Sequence, residues 1–406
     1  MNDKASNQTV LIAMTGGLES TVAAYLLKKQ GYRCIGIGLQ LFEAGDVTGP
    51  FSDVVISDLN KVKDICVYLD IPFYAVNASD IFADTVLDPV VGRILSGHTF
   101  EPLVFLNLVL MEILLDKARK FNTNLIATGH YAKVLKNQKT GSFELLVAND
   151  LEHDQSYMLA RLDQKHLAHL MLPLSEIRKK EVEKIGALIK VDYLKRPKQS
   201  IHHIMRDPRM IPLVEARSPH DLLRPGTIYD YRLEASICEH TGIHRFYIGQ
   251  NNIPSKQENP IDPAKEVISI VPYKGNVFID FPERLRYTHA HVVRFNAADH
   301  LDMSLPLIVY VKMSSGGDKI PCRLYFKNNQ NCLIEFETQR TGLLVAGQFF
   351  VFYTRPKDKG KVLGSAIVEV GGNFANEEFN TLPYYRKDSD EEEDDEDNHD
   401  EEKLHF

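Results

Sequence analysis

Three things are scarce in this chain: long apolar runs, paired cysteines and an apolar leader. No stretch approaches the roughly 20 uninterrupted apolar residues of a membrane-spanning helix, and Met1 to Gln8 is polar with no apolar h-region. No membrane partner is expected, and a cytoplasmic location follows by default. The five cysteines, Cys34, Cys66, Cys238, Cys322 and Cys332, are scattered with no CxxC pair. That spacing excludes a zinc knuckle or an iron–sulfur framework, and each is expected as a small buried apolar residue in a reducing compartment. What the chain has in quantity is ordinary globular material. With 406 residues, 44% apolar and 25% charged, it can bury a sizeable core in two or three domains.

The formal charge of −8 is unevenly divided. Asp388 to Glu402 holds 12 acidic residues and the only base after Asp388 is Lys403, so this end carries −11 and residues 1 to 387 carry +3. A mildly basic body is compatible with a nucleic-acid partner without requiring one. The acidic run is expected to be disordered and self-repelling. It reads either as a solubilising tail or as a polyphosphate mimic that competes for a basic groove.

The chain is organised around Thr9 to Tyr25. Val10, Leu11 and Ile12 predict a buried strand, which breaks at Thr15-Gly16-Gly17-Leu18-Glu19-Ser20. The apolar spacing of Val22, Ala23, Leu26 and Leu27 then predicts a helix. Adjacent glycines allow a tight turn and close approach to a ligand, and the N–H groups of a helix start, beside Ser20 and Thr21, attract an anion. The glycines alone also fit an ordinary strand-to-helix turn. No Lys follows them, which excludes the P-loop of kinases and GTPases.

Strands and helices alternate onward. Arg33 to Leu41, Pro72 to Val76 and Leu125 to Thr128 read as strands; Asp58 to Leu69 and Leu103 to Lys120 read as helices. This alternation predicts an α/β doubly wound parallel sheet with its ligand crevice at the strand ends, where Gly129-His130-Tyr131 brings a second glycine turn. A hairpin is predicted from Tyr131 to Leu135 and Phe143 to Val147. Helices over Gln164 to Leu170 and Leu174 to Ile189 define a small insert, Asp163 to about Pro208. From Pro225 onward short strands form two small β units, the last from about His289 to Val370.

The glycine loop resembles the pyrophosphate-loop signature of the N-type ATP pyrophosphatases, Ser-Gly-Gly-Val-Asp-Ser, with Thr15, Leu18 and Glu19 substituted. Together with Ala127-Thr128-Gly129-His130-Tyr131, Asp154-Gln155-Ser156-Tyr157-Met158-Leu159, Ile248-Gly249-Gln250 and Ile320-Pro321-Cys322, in that order, the chain resembles the tRNA 2-thiouridine synthetases of the MnmA/TrmU family from Thr9 to about Val370. The resemblance implies a nucleotide-binding domain over 1–162, a small helical or mixed central tRNA-handling domain over 163–285 and a C-terminal β-barrel over 286–372, with the acidic tail at 373–406. It implies ATP and Mg²⁺ as cofactors and the anticodon region of tRNA as partner. In the family's reaction ATP adenylates the 2-carbonyl oxygen of the wobble uridine, and a persulfide sulfur then replaces that oxygen.

Carried over position by position, the resemblance assigns nucleotide binding to Thr15, Gly16, Gly17, Glu19, Ser20, Leu39 and Gly129, with the Glu19 carboxylate one methylene further out than the usual Asp, and tRNA contacts to Asp154, Gln155 and Gln250. Asp154 and Gln155 read equally as turn caps, and His130 as a packing histidine. The family's first cysteine follows a Thr-Pro-Asn-Pro segment; the matching stretch Thr99-Phe100-Glu101-Pro102 puts Leu106 at the thiol position. The second falls on His202. Neither residue holds a persulfide, so no catalytic residue is assigned. Ser314-Ser315 replaces a late Arg-Tyr that contacts tRNA, and Asn251 replaces an Arg. His202-His203 reads as a surface pair rather than a metal site. The basic run Lys195, Arg196, Lys198, Arg206 and Arg209 reads as a phosphate contact or a solvated face. Whether the chain is an enzyme stays open between an adenylating enzyme fed by an external sulfur carrier, a diverged homologue without thiolation, and a partner of an authentic thiouridylase.

Overall fold

In the computed structural model of the chain, residues 8–43, 45–53, 58–194, 201–253, 261–356 and 360–369 are described, with the backbone alone at 201–203 and 284. The acidic tail and the bases at 195, 196 and 198 lie outside the described residues.

β1 (Thr9–Ala13) is the middle of a parallel sheet. It pairs with β2 (Arg33–Gln40) on one side and β4 (Leu125–Ala127) on the other, with β3 (Phe73–Asn77) beyond β2. Its run is continuously apolar because both faces are covered. Val10 and Ile12 point into one core layer and Leu11 and Ala13 into the other. α1 (Leu18–Lys29) and α2 (Leu59–Tyr68) supply the first layer; α3 (Ser79–Phe82), α4 (Asp88–Leu95) and α5 (Pro102–Lys120) supply the second. α5 starts with Pro at its first position and ends with Lys117, Arg119 and Lys120, both favourable placements. The doubly wound sheet is therefore as expected.

Four local expectations change. No helix is assigned to the stretch Ser79–Leu95 from the sequence. Pro89 instead opens α4 after a π-helical turn, Ala83–Leu87. The helix expected over Gln164 to Leu170 stops early as α6 (Gln164–Leu167), and β7 (Leu170–Met171) joins the parallel sheet beside β4. Helix α7 (Lys179–Ile189) packs on α1, so the first unit continues past residue 162. α8 (Met210–Arg217) was not legible either.

The hairpin β5 (Lys133–Lys136) with β6 (Phe143–Leu146) forms as expected. A mixed four-stranded sheet follows, β8 (Gly226–Asp230), β9 (Ala235–His240), β10 (Glu266–Val271) and β11 (Asn276–Asp280), in the order β10-β11-β8-β9. The C-terminal unit closes as a barrel of six strands, β12 (Arg286–Ala297), β13 (Leu307–Lys312), β14 (Lys319–Phe326), β15 (Cys332–Thr341), β16 (Phe349–Tyr353) and β17 (Val362–Val368). The segment Ser156 to Arg161 fastens the barrel to the first unit. Tyr157 donates to the Phe349 carbonyl at 2.8 Å, Ser365 to the Ala160 carbonyl at 3.1 Å and Arg161 to the Arg294 carbonyl at 3.0 Å.

Candidate active site

Ala13 ends β1 at the carboxyl edge of the sheet, and Gly16 turns the chain into α1 with φ +76°, a conformation that favours glycine. A Cβ on Gly16 would come within 2.7 Å of Leu194 Cδ1 and 3.0 Å of Val62 Cγ2. The Gly16 carbonyl accepts from Leu194 N at 2.7 Å. Ser20 and Thr21 are buried and hold the loop from inside. Both donate to the Gly17 carbonyl, at 3.1 and 2.8 Å, and Ser20 Oγ accepts from Thr15 N at 3.3 Å. Among the described residues nothing accepts from the N–H groups of Gly17, Leu18 and Glu19, and α1 has no side-chain cap. The hydroxyls thus shape the cradle while the backbone N–H groups remain open to an anion.

Gly129 brings the second glycine turn against the first. A Cβ there would lie 2.7 Å from the Glu19 carbonyl carbon and 2.8 Å from Ser20 N, so only glycine allows the end of β4 to abut the first turn of α1. His130 is half-buried with Nδ1 2.9 Å from Thr128 Oγ1, and burial pushes it down to about 4, so it is neutral at physiological pH. Leu39 is buried in the core near the end of β2, which leaves only its backbone facing the crevice edge. Glu19 forms an ion pair with Lys179, the first residue of α7, whose backbone N–H donates to Asp150 at 2.8 Å. Lys179 escaped sequence reasoning, because only the packing of α7 on α1 brings it to the loop. Tyr131 is buried with its hydroxyl unpaired, and burial, then Glu19, Asp150 and Glu183, push its pKa up.

Asp154 and Gln155 cap the turn that carries them. Asp154 accepts from Ala148 N at 2.9 Å, Ser156 N at 3.3 Å and Ser156 Oγ at 2.7 Å, and burial nonetheless raises its carboxyl. Gln155 accepts from Tyr131 N at 2.9 Å. Gln250 is buried and bridges Tyr247 N to the Asn252 carbonyl, both at 3.1 Å. Arg209 is held by Asp53 and Asp207, with contacts of 2.6 and 2.7 Å, while Arg206 lies over the Tyr247 ring.

One feature of the structure was invisible in the sequence. A cavity of about 800 Å³ opens where the first unit, the central sheet and the barrel meet. Its walls include Phe100, Glu101, Tyr157, Tyr247, Met313 and Phe349. It lies beside the start of α5, which carries Leu106, and beside the 3₁₀ turn Ile201–Arg206, which carries His202. Glu101 is half-buried at the cavity wall, and desolvation pushes its carboxyl up to about 8.

A family model described as the tRNA methyl transferase HUP domain matches residues 8–204, and one described as the aminomethyltransferase beta-barrel domain matches residues 287–368. The tRNA-specific 2-thiouridylase MnmA of Clostridioides difficile (strain 630) is 30% identical over 89% of this chain and 98% of its own length. MnmA 2 of Thermoanaerobacter sp. (strain X514) is 29% identical over 89% and 98%. The chain belongs to the tRNA-specific 2-thiouridylase family. A solved 4-thiouridine synthetase–RNA complex with bound ATP aligns over 52% of this chain and 53% of its own, at 14% identity and a TM-score of 0.30, too loosely to bear on the chemistry.

Four of the five thiols of this chain are buried. Leu106 is half-buried on α5 and packs against the main core. The side chain of His202 lies outside the described residues. Cys34 and Cys66 are buried in the layer behind the glycine loop, where desolvation pushes them up to about 11 and about 12. Cys322, up to about 12, and Cys332, also raised, lie in the barrel core. At neutral pH all four remain protonated and poorly nucleophilic. Cys238 is half-buried beside the core of the central sheet.

Proposed function

We propose that this 2-thiouridylase homologue binds ATP at the Thr15 to Ser20 loop and a tRNA wobble uridine at the domain junction, and that it carries no persulfide of its own. The supporting observation is a contrast between the glycine loop and the positions that the resemblance assigns to the thiols. The glycine loop keeps its open N–H groups and its close-packed Gly129, whereas the thiol positions hold Leu106 and His202. Phosphates fit the loop because its hydroxyls are turned inward and its backbone donors are not. Glu19 fits Mg²⁺ poorly while it is neutralised by Lys179, and Lys179 supplies a positive charge at the same place.

In this reading the uridine 2-carbonyl oxygen attacks the α-phosphorus of ATP and pyrophosphate leaves. Any replacement of that oxygen uses an external sulfur nucleophile, with AMP as leaving group. The neutral His130 is able to donate or accept a hydrogen bond beside the loop without adding charge. The test incubates the full chain with tRNA, Mg·ATP and either a persulfide donor or free sulfide, followed by mass spectrometry of the digested tRNA. Thiouridine with sulfide alone is the expected result. Thiouridine from the persulfide donor alone, together with a persulfide found on a cysteine of this chain, would show a covalent carrier and overturn the proposal. A product with neither, despite ATP binding, favours the second reading, a non-catalytic tRNA-binding partner, which the Glu19–Lys179 ion pair in place of a free acidic ligand supports.

A further inference from the structure

Glu101 brings to the wall of the junction cavity a carboxyl that the fold does not use. The Glu101 carboxyl has no hydrogen-bond or ion-pair partner among the described residues, although it is largely desolvated at the start of α5. Several other polar groups around the cavity are engaged, whereas His244 Nδ1 has no partner among the described residues. Gln250 bridges a turn. Asp207 pairs with Arg209 and Arg245 with Glu215. Arg206 lies over Tyr247, with Glu266 close by, and the imidazoles of His98 and His244 are held neutral by burial. A desolvated carboxyl with nothing to bond costs free energy unless a ligand completes it.

The cavity lies within the roughly 300–1,000 Å³ range of small-ligand sites and joins apolar and aromatic walls to few polar groups. Chemistry on a tRNA base requires that base to leave its stack and enter such a pocket. We infer, resting on the proposed function, that Glu101 is the specificity-determining residue for the target base, reading the imide edge of an extruded uracil through paired hydrogen bonds to N3–H and O4. The carboxyl carbonyl accepts from N3–H while its O–H donates to O4, which leaves the 2-carbonyl free for adenylation. Cytosine presents an acceptor at N3 and a donor at N4, which the carboxyl also pairs with its proton on the other oxygen, so the discrimination that Glu101 supplies is against N3-methyluracil, which has no N3–H at all. The Asn of the family's Thr-Pro-Asn-Pro segment carries a donor and an acceptor at every pH. The Glu here carries both only while protonated, which burial to about 8 secures at neutral pH.

The experiment measures binding of the full chain, with Mg·ATP, to a short anticodon stem-loop RNA bearing uridine or N3-methyluridine at the wobble position, at pH 6.5 and 8.5. Wild type should prefer uridine by roughly 5- to 100-fold at the lower pH, the discrimination of one good bidentate contact, and less at the higher pH. Glu101→Gln, which keeps donor and acceptor without ionising, should retain the preference at both. Glu101→Ala should lose it while still binding RNA, with circular dichroism confirming the fold. Equal wild-type affinity for the two RNAs, or a preference that survives Glu101→Ala, overturns the inference and leaves the proposed function standing. Failure of every variant to bind either RNA overturns both.

Discussion

At the residue scale, the glycines and the two unpaired oxygen groups carry the sharpest expectations. Gly129→Ala places a methyl against backbone that has no room to retreat, 2.7 Å from Glu19. The change should cost about 1–3 kcal/mol of stability and weaken ATP binding by displacing the first turn of α1; denaturant melts and calorimetry read the two effects. Tyr131→Phe should be neutral or slightly stabilising, because the buried hydroxyl it removes has no partner. A loss of ATP affinity in that variant would mean that the hydroxyl meets the nucleotide. Glu101 has a pH signature of its own. Its folded pKa, about 8, stands above the ordinary carboxylate value of 4.5. The penalty for keeping it in the fold is absent below pH 4.5, grows as pH rises to about 8 and is complete above. Glu101→Gln should therefore raise the melting temperature at pH 8 and leave it unchanged at pH 4.

At the element scale, the segment before α5 is the shared joint of the three units. Thr99 N donates to the Ala346 carbonyl at 3.0 Å, and a Cβ on Gly347 would fall 2.0 Å from the Thr99 carbonyl oxygen. On the other side a Cβ on Gly97 would meet Ile270 of β10 at 2.8 Å. Both glycines have positive φ, +65° and +88° for Gly97 and Gly347. Gly347→Ala should loosen the barrel from the first unit with little effect on the barrel's own closure. The expected observation is earlier proteolytic release of a C-terminal fragment while the barrel strands keep their hydrogen-exchange protection. Early loss of protection in β16 and β17 would show instead that the strain falls inside the barrel.

At the scale of the whole molecule, charge is the lever. The acidic end carries −11 against +3 for the remainder. If it competes with RNA, removal of Asp388 to Phe406 should tighten tRNA binding at low salt, with the gain shrinking as salt rises. Equal affinities at low salt would leave the tail as a solubility device. The barrel bears on the same question. The Ser314-Ser315 replacement lies just after β13, Ser314 borders the junction cavity, and neither residue supplies the charge of the family's Arg-Tyr.

The sequence by itself determined the doubly wound sheet and the glycine loop. Each of these is written in local periodicity or in the identity of a single residue, and β1, with alternate side chains in two core layers, shows why a continuous apolar run was readable. Tertiary structure decided what lies far apart in the chain. It brought Lys179 to Glu19, turned Leu170 and Met171 into a fifth sheet strand, and used Asp154, Gln155 and Gln250 as turn caps. It also opened a cavity around Glu101 between three units. A carboxyl reads as a surface charge in any linear pattern; only enclosure by segments far apart in the chain removes its water, and desolvation is what makes it a recognition group.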